Sequence, residues 1–325
     1  MPDNRKLHAA AALACCLALA GAGAAAQSYP VKPVRVITPF PPGAGVDIVT
    51  RLVAPRLGEG LGQQFVVDNR AGAAGHVGAE VAAHAVADGY TLLLAPASIV
   101  ISATLYKKLN YNLEKDLEPI AVAASAPFVL VVHPSLPVRN VKELIVLAKA
   151  KPGTLLYAST GNGGTPHLAM EILKSKTGIN VVHVPYKGTP PAVIDLIAGQ
   201  VQLMFANTLS VLPHVKSGRL RALAISSAKR SAAAPELPTV AEAGVPGFEA
   251  TTWFGLFAPT GTPAAIVQRL SAEIVRIVQL PDTREKLLAQ GADPVGMPAA
   301  EFRPYFRSEI SKWARIVQAL GIRLE

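Results

Sequence analysis

The chain has 325 residues, enough for two domains of ordinary size, and 50% of them are hydrophobic although only 6% are aromatic. The net charge of +9 comes from scattered basic residues, whose densest groupings are pairs such as Lys107-Lys108 and Lys229-Arg230. Nucleic-acid binding needs clustered basic charge, so the composition argues against a nucleic-acid partner and leaves a mild preference for small anions.

The N-terminal segment has the pattern of a secretory signal peptide. Arg5 and Lys6 precede the uncharged stretch 7–23, which is rich in alanine and leucine, and three alanines ending at Ala26 supply the small residues of a signal peptidase site. We therefore expect 1–26 to be a signal peptide cleaved after Ala26, and the mature chain to lie in the periplasm. The alternative is a membrane anchor, for which the apolar run is at the short limit of a span.

Both cysteines, Cys15 and Cys16, lie in this segment, so the mature chain has none. The exported protein therefore has no disulfide, no thiol nucleophile and no thiolate metal site. The seven histidines are spread singly, without metal-ligand spacing, and we predict neither a metal nor a cofactor. The G-x-S-x-G, H-E-x-x-H and Walker patterns are absent from the sequence, and we predict no enzymatic activity.

Short apolar runs alternate with helical patterns along the mature chain, in the βαβ rhythm of a sheet covered by helices. The predicted strands are 34–38, 64–68, 90–95, 155–158, 180–184, 201–205 and 220–224. The predicted helices are 47–57, 75–85, 141–150, 165–177 and 190–198, followed by two amphipathic helices with apolar stripes over 266–278 and 302–320. The pattern predicts an α/β fold with two mostly parallel sheets flanked by helices.

Two longer apolar runs indicate crossings between the two series of strands. Residues 128–133 leave the first series and 253–258 return to it, and each run is followed by proline. A chain that crosses out and back builds one lobe from two discontinuous pieces. We expect lobe 1 to comprise 27–127 and 254–325, lobe 2 to comprise 128–253, and two crossover strands to form the hinge.

The most informative stretches are loops that end a strand and open a helix. The first spans 38–47, and its glycines allow the backbone to approach a ligand closely. Asp47 opens the next helix and lies four residues before Arg51, so we interpret the two as structural residues near the site, a helix cap and an ion pair. The candidate ligand-binding residues of this loop are Phe40, Pro41, Gly43, Ala44 and Gly45.

The second such loop, 159–165, is rich in glycine and hydroxyl side chains. Glycines free backbone N–H groups to face an anion at the N-terminus of the following helix. We interpret Thr165 as the N-cap, Pro166 as the first helical residue and His167 as a structural histidine. The candidate ligand-binding residues are Ser159, Thr160, Gly161, Asn162, Gly164 and Thr165.

Further candidates follow other strands. Tyr186 lies in a third loop of the same design, where Lys187 is equally well explained as a ligand contact or as a surface charge. Ser98 and Asn207 each follow a predicted strand, and Trp253 on the returning strand is a candidate wall of the site. Ligands of open α/β sheets bind outside the carboxyl ends of the strands, so these loops predict a cleft between two sheets.

The loops belong to an ordered set of motifs that covers essentially all of the mature chain. The set comprises Tyr29-Pro30, 39–47 with Arg51, 69–75, 88–91, 159–165, 183–188, 212–218, 237–240 and the Trp253 segment. With these motifs the chain closely resembles the Bug family, also called the TctC family, the substrate-binding proteins of tripartite tricarboxylate transporters. The resemblance implies a type II periplasmic-binding-protein fold with two α/β lobes and a small carboxylate held in the cleft, partly through ordered water.

The resemblance also implies a partner, the membrane permease subunits of such a transporter, and leaves open which carboxylate is bound. We expect a monomer. Family members often have Asp-Asn where this chain has Ala206-Asn207, so a ligand contact made by that Asp has no counterpart here. Two alternative functions are a module that presents its ligand to a sensor and a hydrolase or racemase whose catalytic groups are assembled across the fold.

Overall fold

The computed structural model of the chain describes residues 29–106, 109–231 and 234–320, in which strands and helices alternate. The predicted signal peptide and its cleavage site lie outside these residues. The strands are β1 (Val34–Thr38), β2 (Phe65–Asn69), β3 (Thr91–Pro96), β4 (Leu117–Val132), β5 (Leu156–Ser159), β6 (Val182–Pro185), β7 (Leu203–Asn207), β8 (Arg221–Ile225), β9 (Thr251–Pro259) and β10 (Asp293–Pro298). The helices are α1 (Gly45–Leu61), α2 (His76–Ala83), α3 (Ser98–Ala103), α4 (Leu113–Asp116), α5 (Val141–Ala150), α6 (Thr165–Thr177), α7 (Thr189–Ile197), α8 (Thr208–Lys216), α9 (Ala264–Gln279), α10 (Pro281–Gln290) and α11 (Ala299–Leu320).

The first sheet has the strand order β2-β1-β3-β9-β4, with β10 paired to β4. Strand β1 is parallel to β2 and β3, whereas β9 is antiparallel to both β3 and β4. Alternate residues of the strands face opposite sides, so Val36 packs with helices α1 and α9 while its neighbour Ile37 packs with α2, α3 and α11. Burial of both faces explains why these strands are continuous apolar runs in the sequence.

The second sheet continues from the same long strand. Strand β4 pairs with β9 through Pro127 and with β7 and β8 from Phe128 onward, so one strand runs through both sheets. Beyond β7 the order is β5 and then β6, all parallel to one another. The parallel pairs predicted from the sequence are present, and the crossover strands add antiparallel pairs, so each sheet is mixed in direction.

The carboxyl ends of strands from both sheets point to a common region. The segment after β1 leads into α1, and the segments after β5, β6 and β7 lead into α6, α7 and α8. Each of these four connections places a helix N-terminus between the two sheets, preceded by a loop in the first three and directly by the strand at β7. No helix within the described ranges is both long enough and apolar enough to cross a membrane.

Candidate ligand-binding site

An inner cavity lies where helices α1, α3, α6, α7 and α8 begin. Its wall includes Gly45 of α1, Thr165 of α6, Thr189 of α7 and Asn207, the N-cap of α8. Its volume is about 50 Å³. At each helix N-terminus the first N–H groups have no acceptor within the helix, and the helix dipole has its positive end there. The other lining residues are Phe40, Ala44, Val46, Pro96, Ser98, Phe128, Thr160, Pro166, Thr252 and Phe254.

The described wall of this cavity contains no Asp, Glu, Lys, Arg, His or Cys side chain. Its polar groups are hydroxyls, the Asn207 amide and backbone. The positive potential therefore arises from peptide dipoles and not from a side-chain cation, and it does not change with pH. A neutral wall with helix N-termini on several sides is suited to a small anion.

Thr165 brings a buried hydroxyl to the wall of the inner cavity. The structure corrects its predicted role: Gly164 is the N-cap, in extended backbone, and Thr165 is the first helical residue. Its hydroxyl is therefore not used to cap the helix. The side chain is 1% exposed, and Oγ1 has no hydrogen-bond partner among the described residues. Buried hydroxyls without a partner are rare in native proteins, so this oxygen is available to a ligand or an ordered water.

An outer cavity of about 500 Å³ adjoins the inner one, and Phe40 and Thr160 line both. Its wall combines aromatic rings, alanine and glycine backbone and one side-chain cation among the described residues, Lys187. The remaining lining residues are Pro41, Ala71, Gly72, Ala73, Ala74, Gly75, Tyr106, Gly161, Asn162, Tyr186 and Gly188. The two cavities together form one depression between the loops of the first and second sheets.

A buried carboxylate holds the first glycine loop in place. Asp47, 2% exposed, accepts hydrogen bonds from the Gly43 N–H at 2.9 Å, from Arg51 Nε at 3.0 Å and from Asn69 Nδ2 at 2.9 Å. These donors lower the pKa of Asp47 even though burial alone would raise it. The predicted helix cap is corrected, because Ala44 occupies that position and Asp47 is the third helical residue, reaching back to the loop.

Two stacked histidines support the second loop. The rings of His167 and His183 are 4.2 Å apart and inclined by 8°, and Tyr157 stacks on the other face of His183 at 4.8 Å. The Gly163 N–H donates to His167 Nδ1 at 3.1 Å, and Ser159 Oγ lies 2.6 Å from His183 Nε2. Burial lowers the pKa of His167 and lowers the pKa of His183 to about 4, so both rings are neutral at neutral pH.

The third loop is anchored by a tyrosine. The Tyr186 hydroxyl donates to Asp195 Oδ2 at 2.7 Å, which leaves the ring as its contribution to the outer cavity. Lys187 is exposed and lines the same cavity.

Most of the sequence-predicted residues lie around the two cavities. Three do not line either: Gly43 faces Pro190, Ser159 is fully buried, and Gly164 serves as the helix cap. The predicted residues that do line a cavity are Phe40, Pro41, Ala44, Gly45, Ser98, Thr160, Gly161, Asn162, Thr165, Tyr186 and Asn207.

Trp253 turns away from the cavity. Its ring packs against Phe302 at 5.3 Å, and its Nε1 donates to Glu309 Oε2 at 3.2 Å. The neighbouring residues in β9, Thr252 and Phe254, line the inner cavity instead. Successive residues of a strand face opposite sides. Because Trp253 faces the core, Thr252 and Phe254 face the inner cavity.

The loops of the two sheets touch in this structure. A Cβ added at Gly45 would lie 2.9 Å from Cγ of Asn207, and one added at Gly188 would lie 3.0 Å from Cδ of Pro41. Gly291, which follows α10, accepts a hydrogen bond from the Thr208 hydroxyl at the start of α8. The inner cavity is therefore enclosed by groups from both sheets.

Two α/β sheets joined by long strands, with a small neutral cavity between their loops, define a two-lobed periplasmic-type binding protein. Comparison with known proteins agrees with this class. The profile of the tripartite tricarboxylate transporter family receptor, TctC, matches residues 49–322. The chain belongs to the TctC family.

Relatives and solved structures match over nearly the whole chain. BugT of Bordetella pertussis strain Tohama I is 40% identical over 313 residues, 95% of this chain and 96% of BugT. The structure of R. palustris Rpa4515 with adipate is 37% identical, with a TM-score of 0.88 over 91% of this chain and 99% of that one. MatC of Rhodopseudomonas palustris with bound malate is 32% identical, with a TM-score of 0.83 over 89% and 100%.

Proposed function

We propose that this solute-binding protein captures a small carboxylate between its two lobes and delivers it to the membrane subunits of a tripartite tricarboxylate transporter. The observation that carries the proposal is the inner cavity, where the N-termini of α1, α6, α7 and α8 contribute to a described wall without charged side chains. A carboxylate placed there accepts hydrogen bonds from backbone N–H groups and hydroxyls, and its charge is stabilised by the helix dipoles.

Two neighbours support a carboxylate as the ligand, since one was solved with adipate and the other with malate. Membership of the TctC family supports the transporter as partner and the periplasm as location. Export would begin with removal of the signal peptide after Ala26. We place the lobes at 27–127 with 254–325 and at 128–253, a division supported by the change of partners of β4 at Phe128.

The chemistry of the wall also supports binding without catalysis. General acid–base catalysis needs a titratable group within hydrogen-bond reach of the substrate, and the described wall of the inner cavity has none. Ser159 and His183 lie close together, but the Ser159 side chain is fully buried beneath the loop and cannot attack a bound molecule.

Calorimetric titration with the acid that co-purifies with the exported protein, once it is identified by mass spectrometry, tests the proposal. Thr165→Val keeps the side-chain shape and removes the hydroxyl. A hydrogen bond to a charged group contributes about 1.5–3 kcal/mol, so we expect affinity to fall by about ten- to a hundredfold. Thr177→Val is the matched control, because it removes a hydroxyl at the far end of the same helix, where Oγ1 donates to Leu173 O.

If the two variants bind the acid equally well, or if only uncharged molecules co-purify, the inner cavity is not a carboxylate site. Intact mass of the exported protein checks the location separately, with the mature chain expected to begin at Gln27.

A further inference from the structure

We infer that lobe 2 attaches reversibly to a phospholipid surface with anionic headgroups, through a patch of lysines around helix α5. The patch, which we call the α5 patch, comprises Lys142, Val146, Lys149, Lys151 and Lys176, all exposed. The inference goes beyond the proposed function and shares with it only the expected periplasmic location, because attachment to lipid needs no ligand in the cleft.

The basic excess of the mature chain lies mostly in lobe 2. Over 128–253, Lys and Arg outnumber Asp and Glu by twelve to six. Over 27–127 together with 254–325, which form lobe 1, the corresponding numbers are seventeen and fifteen. Lobe 2 therefore has a positive field that its own acidic residues do not balance, and a field of this kind attracts anions.

The ion pairs show the same difference between the lobes. Among the described residues, the pairs of lobe 2 are Lys174 with Glu171 and Arg230 with Glu242, and the remaining pairs lie in lobe 1. The four lysines of the α5 patch make no ion pair within the described chain. Their charges are therefore available to anions outside the protein.

The fold brings lysines that are distant in the sequence onto one surface. Helices α5 and α6 pack on the same core cluster beside the second sheet, α5 through Leu144 and α6 through Leu173. Beyond their C-terminal ends, the Gly153 N–H donates to Asn180 O at 2.9 Å. The ends of the two helices, which carry the lysines of the patch, are therefore neighbours.

A turn at 244–247 connects the two helices on the outside of the lobe. A Cβ added at Gly244 would lie 3.1 Å from Cε of Lys142, and Nζ of Lys176 donates to Pro246 O at 3.2 Å. The lysine from the start of α5 and the lysine from the end of α6 therefore lie on the same turn.

The outward side of α5 forms the centre of the patch. Lys142, Val146 and Lys149 are separated by four and three residues, so they lie along one side of the helix. Val146 is 68% exposed between the two lysines. Glu143, the acidic residue of this helix, accepts a hydrogen bond from Asn140 Nδ2 at 2.8 Å and so stays at the positive end of the helix, away from Lys149.

The composition of the patch favours lipid over a protein partner. Protein interfaces are enriched in arginine and aromatic residues and depleted of lysine. A lysine ammonium is a flexible point charge, which suits mobile phosphate headgroups that offer no fixed geometry. The exposed Val146 matches a surface helix whose apolar side chain enters the boundary between headgroups and acyl chains. Such attachment keeps a receptor beside the membrane that holds its permease and remains sensitive to salt.

Flotation with lipid vesicles tests the inference on ligand-free mature protein that begins at Gln27. One set of vesicles is phosphatidylcholine alone, and the other is an equal mixture of phosphatidylcholine and phosphatidylglycerol. We expect binding to the anionic vesicles and none to the neutral ones. Raising NaCl from about 0.05 M to about 0.5 M should weaken this binding by at least about tenfold, because salt screens the charges.

A triple substitution removes three charges of the patch: Lys142→Gln, Lys149→Gln and Lys151→Gln. A lysine close to an anionic surface contributes about fivefold to affinity, so we expect a loss on the order of a hundredfold. The matched control removes three exposed cations of lobe 1 that make no ion pair within the described chain, Lys115→Gln, Arg269→Gln and Arg315→Gln. It lowers the net charge equally and should stay within about threefold of wild type.

A fluorophore tests which surface meets the lipid. The sequence beyond the predicted signal peptide has no cysteine, so one introduced cysteine takes an environment-sensitive label at one position. We expect the emission of labelled Val146→Cys to shift to the blue on the anionic vesicles. Labelled Ala314→Cys, on the exposed side of α11 in lobe 1, should show no shift.

Equal losses in the two triple variants, equal binding to neutral vesicles, or equal shifts at positions 146 and 314 would overturn the inference, because net charge alone would then explain the attachment. Absence of vesicle binding together with tight binding of poly-L-glutamate that is lost in the α5 triple variant would overturn it in favour of an acidic protein partner. The carboxylate site is tested separately by calorimetry, so each of these outcomes leaves the proposed function standing.

Discussion

Individual side chains beneath the second loop set its shape as firmly as its glycines do. His167 Nδ1 accepts the Gly163 N–H, so this ring has its proton on Nε2 while it is neutral. His183 is fixed by the stack on His167 and by the hydroxyl of Ser159. The loop that carries Thr160 and leads to Thr165 therefore rests on two neutral imidazoles, and protonation of His167 would remove its acceptor.

The first prediction separates this hydrogen bond from simple packing. In His167→Asn the side-chain oxygen can replace Nδ1 as the acceptor for Gly163, whereas in His167→Gln the oxygen is one bond too far out. We expect ligand affinity within about threefold of wild type for Asn and about a tenfold loss for Gln, since an unsatisfied buried N–H costs about 1–3 kcal/mol. Titration calorimetry measures the affinity, and thermal unfolding checks that both variants fold.

Equal affinities in the Asn and Gln variants would show that the ring acts through packing alone.

The residues that line the inner cavity were only partly predictable at this scale. The glycine and hydroxyl composition of the strand-end loops indicated where backbone approaches a ligand, and Thr165 and Asn207 were found in this way. Thr252 and Phe254 were missed, because β9 is buried on both faces and its sequence shows no alternation to tell the cavity side from the core side. Trp253 was predicted to form a wall of the cleft, but its side chain packs on the opposite face of the strand, in the core.

At the scale of elements, the contact between the start of α1 and the cap of α8 closes the inner cavity. Gly45 belongs to the first of these helices and Asn207 to the second, and they approach so closely that any side chain at Gly45 would meet the Asn207 amide. Gly45 does not have a positive φ, so its backbone accepts alanine without strain. The contact with Asn207, and not the local backbone conformation, is therefore what excludes a side chain at position 45.

The second prediction follows from this contact. Gly45→Ala is expected to weaken ligand binding by about tenfold, because its Cβ would lie 2.9 Å from Cγ and Oδ1 of Asn207 and would hold the lobes apart. X-ray scattering at saturating ligand should then report a larger radius of gyration than wild type. Gly60→Ala in the same helix is the control, since its Cβ meets the ends of the Glu273 and Arg276 side chains, and neither residue lines a cavity described above.

If Gly45→Ala has the ligand affinity and the radius of gyration of wild type, closure of the lobes does not depend on the contact between Gly45 and Asn207.

The elements that the sequence failed to predict were missed for different physical reasons. Helix α8 contains Pro213, and proline inside a sequence usually predicts the end of a helix. Its amphipathic stripe is also short. Helix α10 buries only Thr283 and Leu287 among its described residues, so no apolar stripe marks it. Strand β4 begins at Leu117, before the predicted crossing at 128, because its first half is paired within the first sheet. Helices with a broad apolar face, such as α9, were predicted from their periodicity.

For the whole molecule, buried histidines couple stability to pH in both parts of the fold. His76, packed on Tyr106 beside the first sheet, has its pKa lowered to about 4 by burial, and His183 beside the second sheet has the same value for the same first cause. An unfolded chain has histidine pKa values near 6.5, so between about pH 6.5 and pH 4 the unfolded state binds more protons. The free energy of unfolding is therefore at its full value above pH 6.5 and falls as the pH is lowered toward 4.

Burial also lowers the pKa of His167 and of His214, which act in the same direction as His76 and His183. The shifted carboxylates act at lower pH or in the opposite direction. The lowered pKa values of Asp47, Asp68 and Glu171 reduce stability only as the pH falls through those values, below the histidine range. Burial raises the pKa of Asp293, which stabilises the folded state as that carboxyl protonates and so partly offsets the histidines. Between pH 7 and pH 4.5, the change in the free energy of unfolding is therefore set mainly by the histidines.

The third prediction is a loss on the order of 2–4 kcal/mol of unfolding free energy between pH 7 and pH 4.5, after allowance for partial solvent access. Urea unfolding of the ligand-free protein at the two pH values measures it. His76→Asn and His183→Gln keep a hydrogen-bonding atom at the ring position and cannot titrate, so combining them should reduce the pH difference, whatever their effect on stability itself; His167 and His214 remain to titrate. The exposed His84 provides the control, because its ring is hydrated in both states and His84→Gln should leave the difference unchanged. An undiminished pH difference in the double variant would mean that other titrating groups, and not these two histidines, set the acid limit of the fold.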